Sequence, residues 1–213
     1  MSIQFKPKRV LVLAPHTDDG EFGCGGAIAR FLEDGAEVFS VAFSTCEESV
    51  PEGFAKDALV HEVRAATVAL GIPLQNLMVR SYPVRKFPDY RQEILEDMVK
   101  IRAEIRPDLV FLPCDQDIHQ DHHVIAAEGV RAFKSATILA YEVPWNNLTM
   151  NFTALMILEE RHVQRKLAAL ACYKTQLHRF YASEDIICSL LRSRGLLVGR
   201  EFAEAFQLVR LVF

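Results

Sequence analysis

The sequence predicts an α/β protein: a three-layer α/β/α sandwich around a mostly parallel, Rossmann-like sheet, in a single domain over residues 1–213. Three observations carry this. Short β-rich runs alternate with longer amphipathic stretches, the order required by a parallel sheet with right-handed helical crossovers. The runs Val10–Ala14 and Leu109–Pro113 are almost wholly apolar, as strands covered on both faces must be. Glycine or proline directly follows the early amphipathic stretches, where a helix needs a stop.

In chain order, the strand Val10–Ala14 leads to a helix over Cys24–Asp34, closed by Gly35. The strand Val38–Ser44 follows, then a helix over Phe54–Leu70 closed by Gly71. The strand Leu77–Arg80 precedes a helix over Asp89–Ile105 that ends at Arg106-Pro107. The strand Leu109–Pro113 and a helix over Gln120–Lys134 form the next unit, and Thr137–Glu142 is a further strand. The weakly patterned Pro144–Phe152 reads as a loop, Glu159–Tyr173 as a helix and Gln207–Phe213 as a last strand. No internal repeat, low-complexity tract or linker divides the chain.

Composition narrows the function classes. A hydrophobic fraction of 50% can fill one sizeable core. A net charge of -4 and a pI near 6.0 speak against a nucleic-acid binder, and no apolar stretch nears the roughly 20 residues of a membrane span. The basic start, Met1 to Arg9, runs into a short apolar segment and then a polar knot, unlike a signal peptide. Five widely spaced cysteines with no Cys-x-x-Cys read as reduced thiols, so the expected setting is cytoplasmic.

Two polar knots carry the chemistry. The first, His16-Thr17-Asp18-Asp19 with the cluster Gly23-Cys24-Gly25-Gly26, leaves the first strand. The second, Asp115 to His123, leaves the strand Leu109–Pro113. Ligands of open α/β sheets bind outside the carboxyl ends of the strands, so the knots can converge. A catalytic zinc prefers three nitrogen or oxygen ligands and one open position. His16 and Asp19, three apart at a strand-to-helix turn, can face one ion. Asp18 projects differently and suits a general base against water that such an ion acidifies. One of His119, His122 and His123 would supply the third ligand. Another would act as acid or oxyanion stabiliser, oriented by Asp121 or Asp117.

Plainer readings compete. Aspartates at a helix start also serve as N-caps. A dinucleotide fingerprint from Gly23 would need glycine where Ile28 stands, so close helix packing better explains the glycines. His123 reads as a solvent or supporting residue, Cys24 and Cys114 as buried fillers. Glu142, at a strand end, would hydrogen-bond a ligand hydroxyl or simply be solvated. Arg85, with Lys86, would line the pocket against a phosphorylated substrate or be surface charge.

The first knot resembles the His-Pro-Asp-Asp motif and glycine cluster of the LmbE-like, or PIG-L, zinc-dependent N-deacetylases. His119-Gln120-Asp121-His122 resembles that family's His-x-Asp-His motif, with Asp117 two residues before it. Arg194-Gly195 through Gly199 to Phe202-Ala203-Glu204-Ala205-Phe206 is similar to its C-terminal segment. The resemblance implies Zn2+, or another divalent ion, bound by His16, Asp19 and His122. It implies Asp18 as base, and His119, paired with Asp121, polarising the carbonyl or protonating the leaving amine. The implied reaction is hydrolysis of an N-acetyl or other N-acyl group from an amino sugar or glycoconjugate, in a family that often forms trimers or hexamers. The alternatives are a non-sugar amide, such as a thiol conjugate, and a non-catalytic metal- or nucleotide-binding module. Thr17, Gly20, Leu59 and Phe202 depart from the usual proline, glutamate, arginine and tyrosine, which bears on the pocket more than on the metal.

Overall fold

The computed structural model describes residues 6–212. Met1–Phe5, in the basic start, and Phe213, at the end of the last predicted strand, lie outside the described residues. Four β-α units come first: β1 (Arg9–Ala14) and α1 (Asp19–Glu33), β2 (Glu37–Ala42) and α2 (Ala58–Leu70), β3 (Leu77–Val79) and α3 (Arg91–Ile105), β4 (Leu109–Pro113) and α4 (Gln120–Ala132). After β5 (Thr137–Tyr141) come β6 (Ala154–Leu158), α5 (Glu160–Leu170), α6 (Glu184–Leu196) and β7 (Phe202–Arg210). The seven strands form one sheet in the order β3-β2-β1-β4-β5-β7-β6. The first five pair in parallel, with β1 central and Val10 opposite both Val38 and Leu109. β7 runs antiparallel between β5 and β6.

Strand periodicity makes the layers. Val10 and Val12 pack with Ile28, Phe31 and Val63 of α1 and α2, whereas Leu11 and Leu13 pack with Ile94, Met98 and Ile125 of α3 and α4. A third cluster, including Phe22, Val163, Ile187, Leu191 and Phe202, seats α5 and α6.

The sequence reading missed β6 and α6 and began the last strand too late. Ala154–Leu158 is rich in helix formers and abuts a helix, so it carries no strand signature. β7 starts at Phe202 because the buried Glu204 that dilutes its apolar run pairs with Lys166 at 2.7 Å.

α1 also begins earlier than predicted, at Asp19, and runs through the glycine cluster. Its glycines allow close approach: a Cβ on Gly23 would stand 2.3 Å from Tyr141 Cδ2, and one on Gly26 2.4 Å from Leu158 Cδ1. The helix breaks at Cys24 (φ −145°, ψ 21°). Amide groups beyond the break, on Gly26 and Ala27, donate to the Glu204 carboxylate at 2.9 and 2.7 Å. A buried carboxylate thus caps the second half of the helix, where the backbone dipole favours it.

Candidate active site

The chain order places the site. From β1 the strands wind one way to β2 and β3, and β4 and β5 lie on the other side, so the crevice of the switch point opens between the carboxyl ends of β1 and β4. His16, Asp18 and Asp19 leave β1 there, and His119, Asp121 and His122 follow β4. His16 and Asp121 meet although 105 positions apart.

Three donor atoms form a near-equilateral triangle: His16 Nδ1 to Asp19 Oδ2 is 3.1 Å, Asp19 Oδ2 to His122 Nε2 is 3.2 Å, and His122 Nε2 to His16 Nδ1 is 3.2 Å. Tetrahedral ligands around zinc at bonds of ~2.0–2.1 Å stand ~3.3 Å apart, so these residues fit such an ion. The other nitrogen of each imidazole rests on a carboxylate: His122 Nδ1 donates to Asp117 Oδ2 at 2.7 Å, and His16 Nε2 to Asp121 Oδ2 at 3.1 Å. Such partners fix the ring orientation and raise its basicity as a ligand. A looser set also exists, in which His16, His119 and His122 each place a ring nitrogen within 4.8 Å of the others. The triangle with Asp19 is tighter, and His119 faces it.

The predicted pairing of His119 with Asp121 is corrected. The Asp121 carboxylate takes His16 and the backbone N–H groups of Arg85 (2.5 Å) and Phe87 (3.1 Å). It is the Asp121 backbone N–H that donates to His119 Nδ1, at 3.1 Å, as His119 N-caps α4. The acceptor role of Nδ1 puts the proton of a neutral His119 on Nε2. Burial, with His16 and His122 beside it, pushes His119 down to about 4. His123 is exposed.

Asp18 sits at the N-cap position of α1 without using its side chain as a cap. Asp19, the other candidate cap, accepts instead from the His16 backbone N–H at 2.8 Å. Burial and the neighbouring Asp19 push the Asp18 carboxyl up to about 6, against the opposing pull of His16 and Arg179. A carboxyl at that value, hydrogen-bonded to no other side chain among the described residues, can exchange a proton near neutrality.

These groups open into a cavity of about 300 Å³, lined also by Arg85, Leu59, Trp145, Gln176, Arg179 and Tyr181. Arg85 thus reaches the cavity, from a backbone in the left-handed region (φ 66°). Glu142 does not line it: Arg194 holds both its carboxylate oxygens, at 2.9 and 2.8 Å. Sequence reasoning missed Trp145, Gln176, Arg179 and Tyr181, which come from loops and single-turn 3-10 helices. Only Trp145, the sole tryptophan, just past a strand end, offered a signal.

Comparison with known proteins adds to this geometry. The family model described as PIG-L, GlcNAc-PI de-N-acetylase, matches residues 11–133. The uncharacterized deacetylase YaiS of Escherichia coli is 28% identical over 178 residues, 80% of this chain and 92% of that protein. A 1D-myo-inositol 2-acetamido-2-deoxy-alpha-D-glucopyranoside deacetylase of Rhodococcus erythropolis is 26% identical over 77% of this chain and 66% of its own length. The conserved protein TT1542 of Thermus thermophilus superposes with a TM-score of 0.78 at 23% identity, covering 96% of this chain and 95% of that one.

Proposed function

The chain belongs to the PIG-L family of GlcNAc-PI de-N-acetylases, and from that premise we propose that it is a metal-dependent hydrolase removing an N-acetyl group from an amino sugar or its conjugate. The observation that carries the reading is the triangle of His16, Asp19 and His122, with Asp18 free beside it. Those three residues would hold the ion, zinc or another divalent metal, which when bound acidifies water and polarises the amide carbonyl.

The chain's own groups do the rest. Asp117 and Asp121 keep the two imidazoles in the ligating tautomer, each accepting from the ring nitrogen turned away from the triangle. Asp18 takes the proton of the attacking water and returns it to the departing amine. His119 presents its Nε2–H to the oxygen that becomes negative as the carbonyl carbon turns tetrahedral, so it acts as a neutral hydrogen-bond donor. Arg179, whose field lowers the Asp18 carboxyl, favours the ionised base. Among the described residues no helix is long and apolar enough to cross a membrane.

The test is amine release from a panel of N-acetylated amino sugars, free, nucleotide-linked and inositol-linked, with zinc supplied. Release from at least one, abolished by chelation, is the expected result. Release only from a non-sugar amide would move the protein to the thiol-conjugate class. Stoichiometric metal with no release from any amide would leave a binding module.

A further inference from the structure

A second cavity, of about 270 Å³, lies against the first and shares two of its walls, Trp145 and Tyr181. Resting on the deacetylase reading, we propose that it is a subsite for an apolar aglycone: the substrate is an N-acetylated amino sugar whose anomeric carbon carries an alkyl or aryl group.

The chemistry of the walls is one-sided. Ile186, Ile187, Leu190 and Leu191 of α6 line one side, and Phe22 lines another. The single charged side chain, Lys166, turns its ammonium away to Glu204 (2.7 Å) and the Phe22 carbonyl (2.5 Å). Apart from the Trp145 indole and the Tyr181 hydroxyl on the shared wall, the side chains of the cavity therefore offer an incoming group only apolar surface. Phe180, 82% exposed, stands at its rim.

Its position links it to the reaction centre. Phe22 lies one helical turn beyond Asp18 and Asp19 on α1, its N–H bonded to the Asp18 carbonyl at 3.1 Å. One turn advances ~5.4 Å, the scale of one sugar ring. Trp145 and Tyr181 stack at 3.7 Å with an interplanar angle of 14°, and Phe22 meets both edge-on at 5.0 and 5.8 Å. The stack is a wall common to the acidic and histidine-rich cavity and to the apolar one. Small-molecule sites run from ~300 to 1,000 Å³, so the polar cavity alone sits at the low end and the pair falls well inside the range. A deacetylase needs room for only a methyl group on the acyl side, so the apolar space serves the side that departs as the amine.

The zinc-loaded enzyme is to be assayed with the methyl and octyl glycosides of N-acetylglucosamine, and with methyl N-octanoylglucosaminide, all below micellar concentrations. The octyl glycoside should show kcat/KM at least tenfold above the methyl glycoside. Leu190→Glu, at the partly exposed edge of the cavity, should remove that advantage and leave the methyl glycoside unchanged. Trp145, the sole tryptophan, supplies a readout independent of turnover. Its emission should shift saturably with octyl glycoside in the native protein, and only weakly in Leu190→Glu.

Equal kcat/KM for the two glycosides overturns the subsite while leaving the deacetylase reading intact, and so does a preference for the N-octanoyl compound. Emission that ignores the octyl glycoside but changes with protein concentration shows a second copy covering the cavity, and also overturns it. If these glycosides are inert while another sugar of the wider panel releases amine, the subsite is overturned and the deacetylase reading stands. If no N-acetylated sugar of either set is hydrolysed, the deacetylase reading fails, and the tryptophan titration still decides the subsite.

Discussion

Asp18 and Asp19 are adjacent carboxylates with opposite electrostatics. Burial opposes ionisation of both, but His122 and His16 hold Asp19 well below the usual range, whereas Asp18 is pushed up to about 6. That contrast supports the proposed division between Asp19 as ligand and Asp18 as base, and it is testable in one substitution. Asp18→Asn should retain stoichiometric metal while kcat falls by ~10²–10⁴-fold, the usual contribution of a positioned proton carrier. Metal content measured on the same preparation separates this from a lost ligand. The carboxylates behind the imidazoles should behave in the reverse sense: Asp117→Asn or Asp121→Asn should weaken metal affinity by ~10–100-fold, read by competition with a chelator. At this scale the sequence was informative about which side chains converge, because His16-x-x-Asp19 and His119-x-x-His122 are local spacings. It was misleading about Asp121, whose bond to His16 depends on β1 and β4 lying side by side, which no local pattern encodes.

Among the elements, α1 carries the most constraint per residue. Its first turn supplies the site, its glycines admit Tyr141 and Leu158, and Glu204 caps its broken middle. Gly26→Ala should lower stability by ~1–3 kcal/mol through forced displacement of Leu158, seen as a lower urea midpoint with an unchanged slope. At the other end of α1, Glu33 accepts from Arg161 of α5 at 2.7 and 2.5 Å and pairs with His162 at 3.0 Å. Arg161 holds the Glu33 carboxyl down, from its ordinary 4.5 to about 2. A depressed carboxyl stabilises the fold above its unfolded value and loses that contribution as pH falls through the folded one. The urea-midpoint advantage of wild type over Glu33→Gln should therefore be constant above pH 5 and close between pH 4.5 and 2. The β-α units of the first half were legible because each pairs a buried apolar run with a stopped amphipathic helix. The antiparallel edge was not, since Ala154–Leu158 becomes a strand only by pairing with β7, and Glu204 is tolerated in β7 only because Lys166 reaches it.

For the whole molecule, the site is a clasp across the switch point, closing two halves of the sheet that the chain visits 106 positions apart. In the metal-free fold protons close it. Burial opposes charge on both imidazoles, but Asp19 and Asp121 raise His16 from 6.5 to about 9, and Asp19 and Asp117 raise His122 to about 10. A raised histidine stabilises the fold fully below its unfolded value and loses that contribution as pH climbs through the folded value, so this clasp should weaken from pH 6.5 to 10. Metal ligation needs both imidazoles neutral, so the ion must displace those protons and binds more tightly as they leave. At a free metal concentration of ~1,000 times Kd, the ion adds ~4 kcal/mol. The Tm gap between zinc-loaded and chelated protein should therefore widen from pH 6 to pH 9, from both sides at once. Calorimetric titration with zinc at pH 7 should release protons, in an amount that falls toward zero as pH approaches 10. A Tm gap independent of pH, or no proton release, would mean that protons and metal do not compete for His16 and His122, and that the triangle is held together by packing alone.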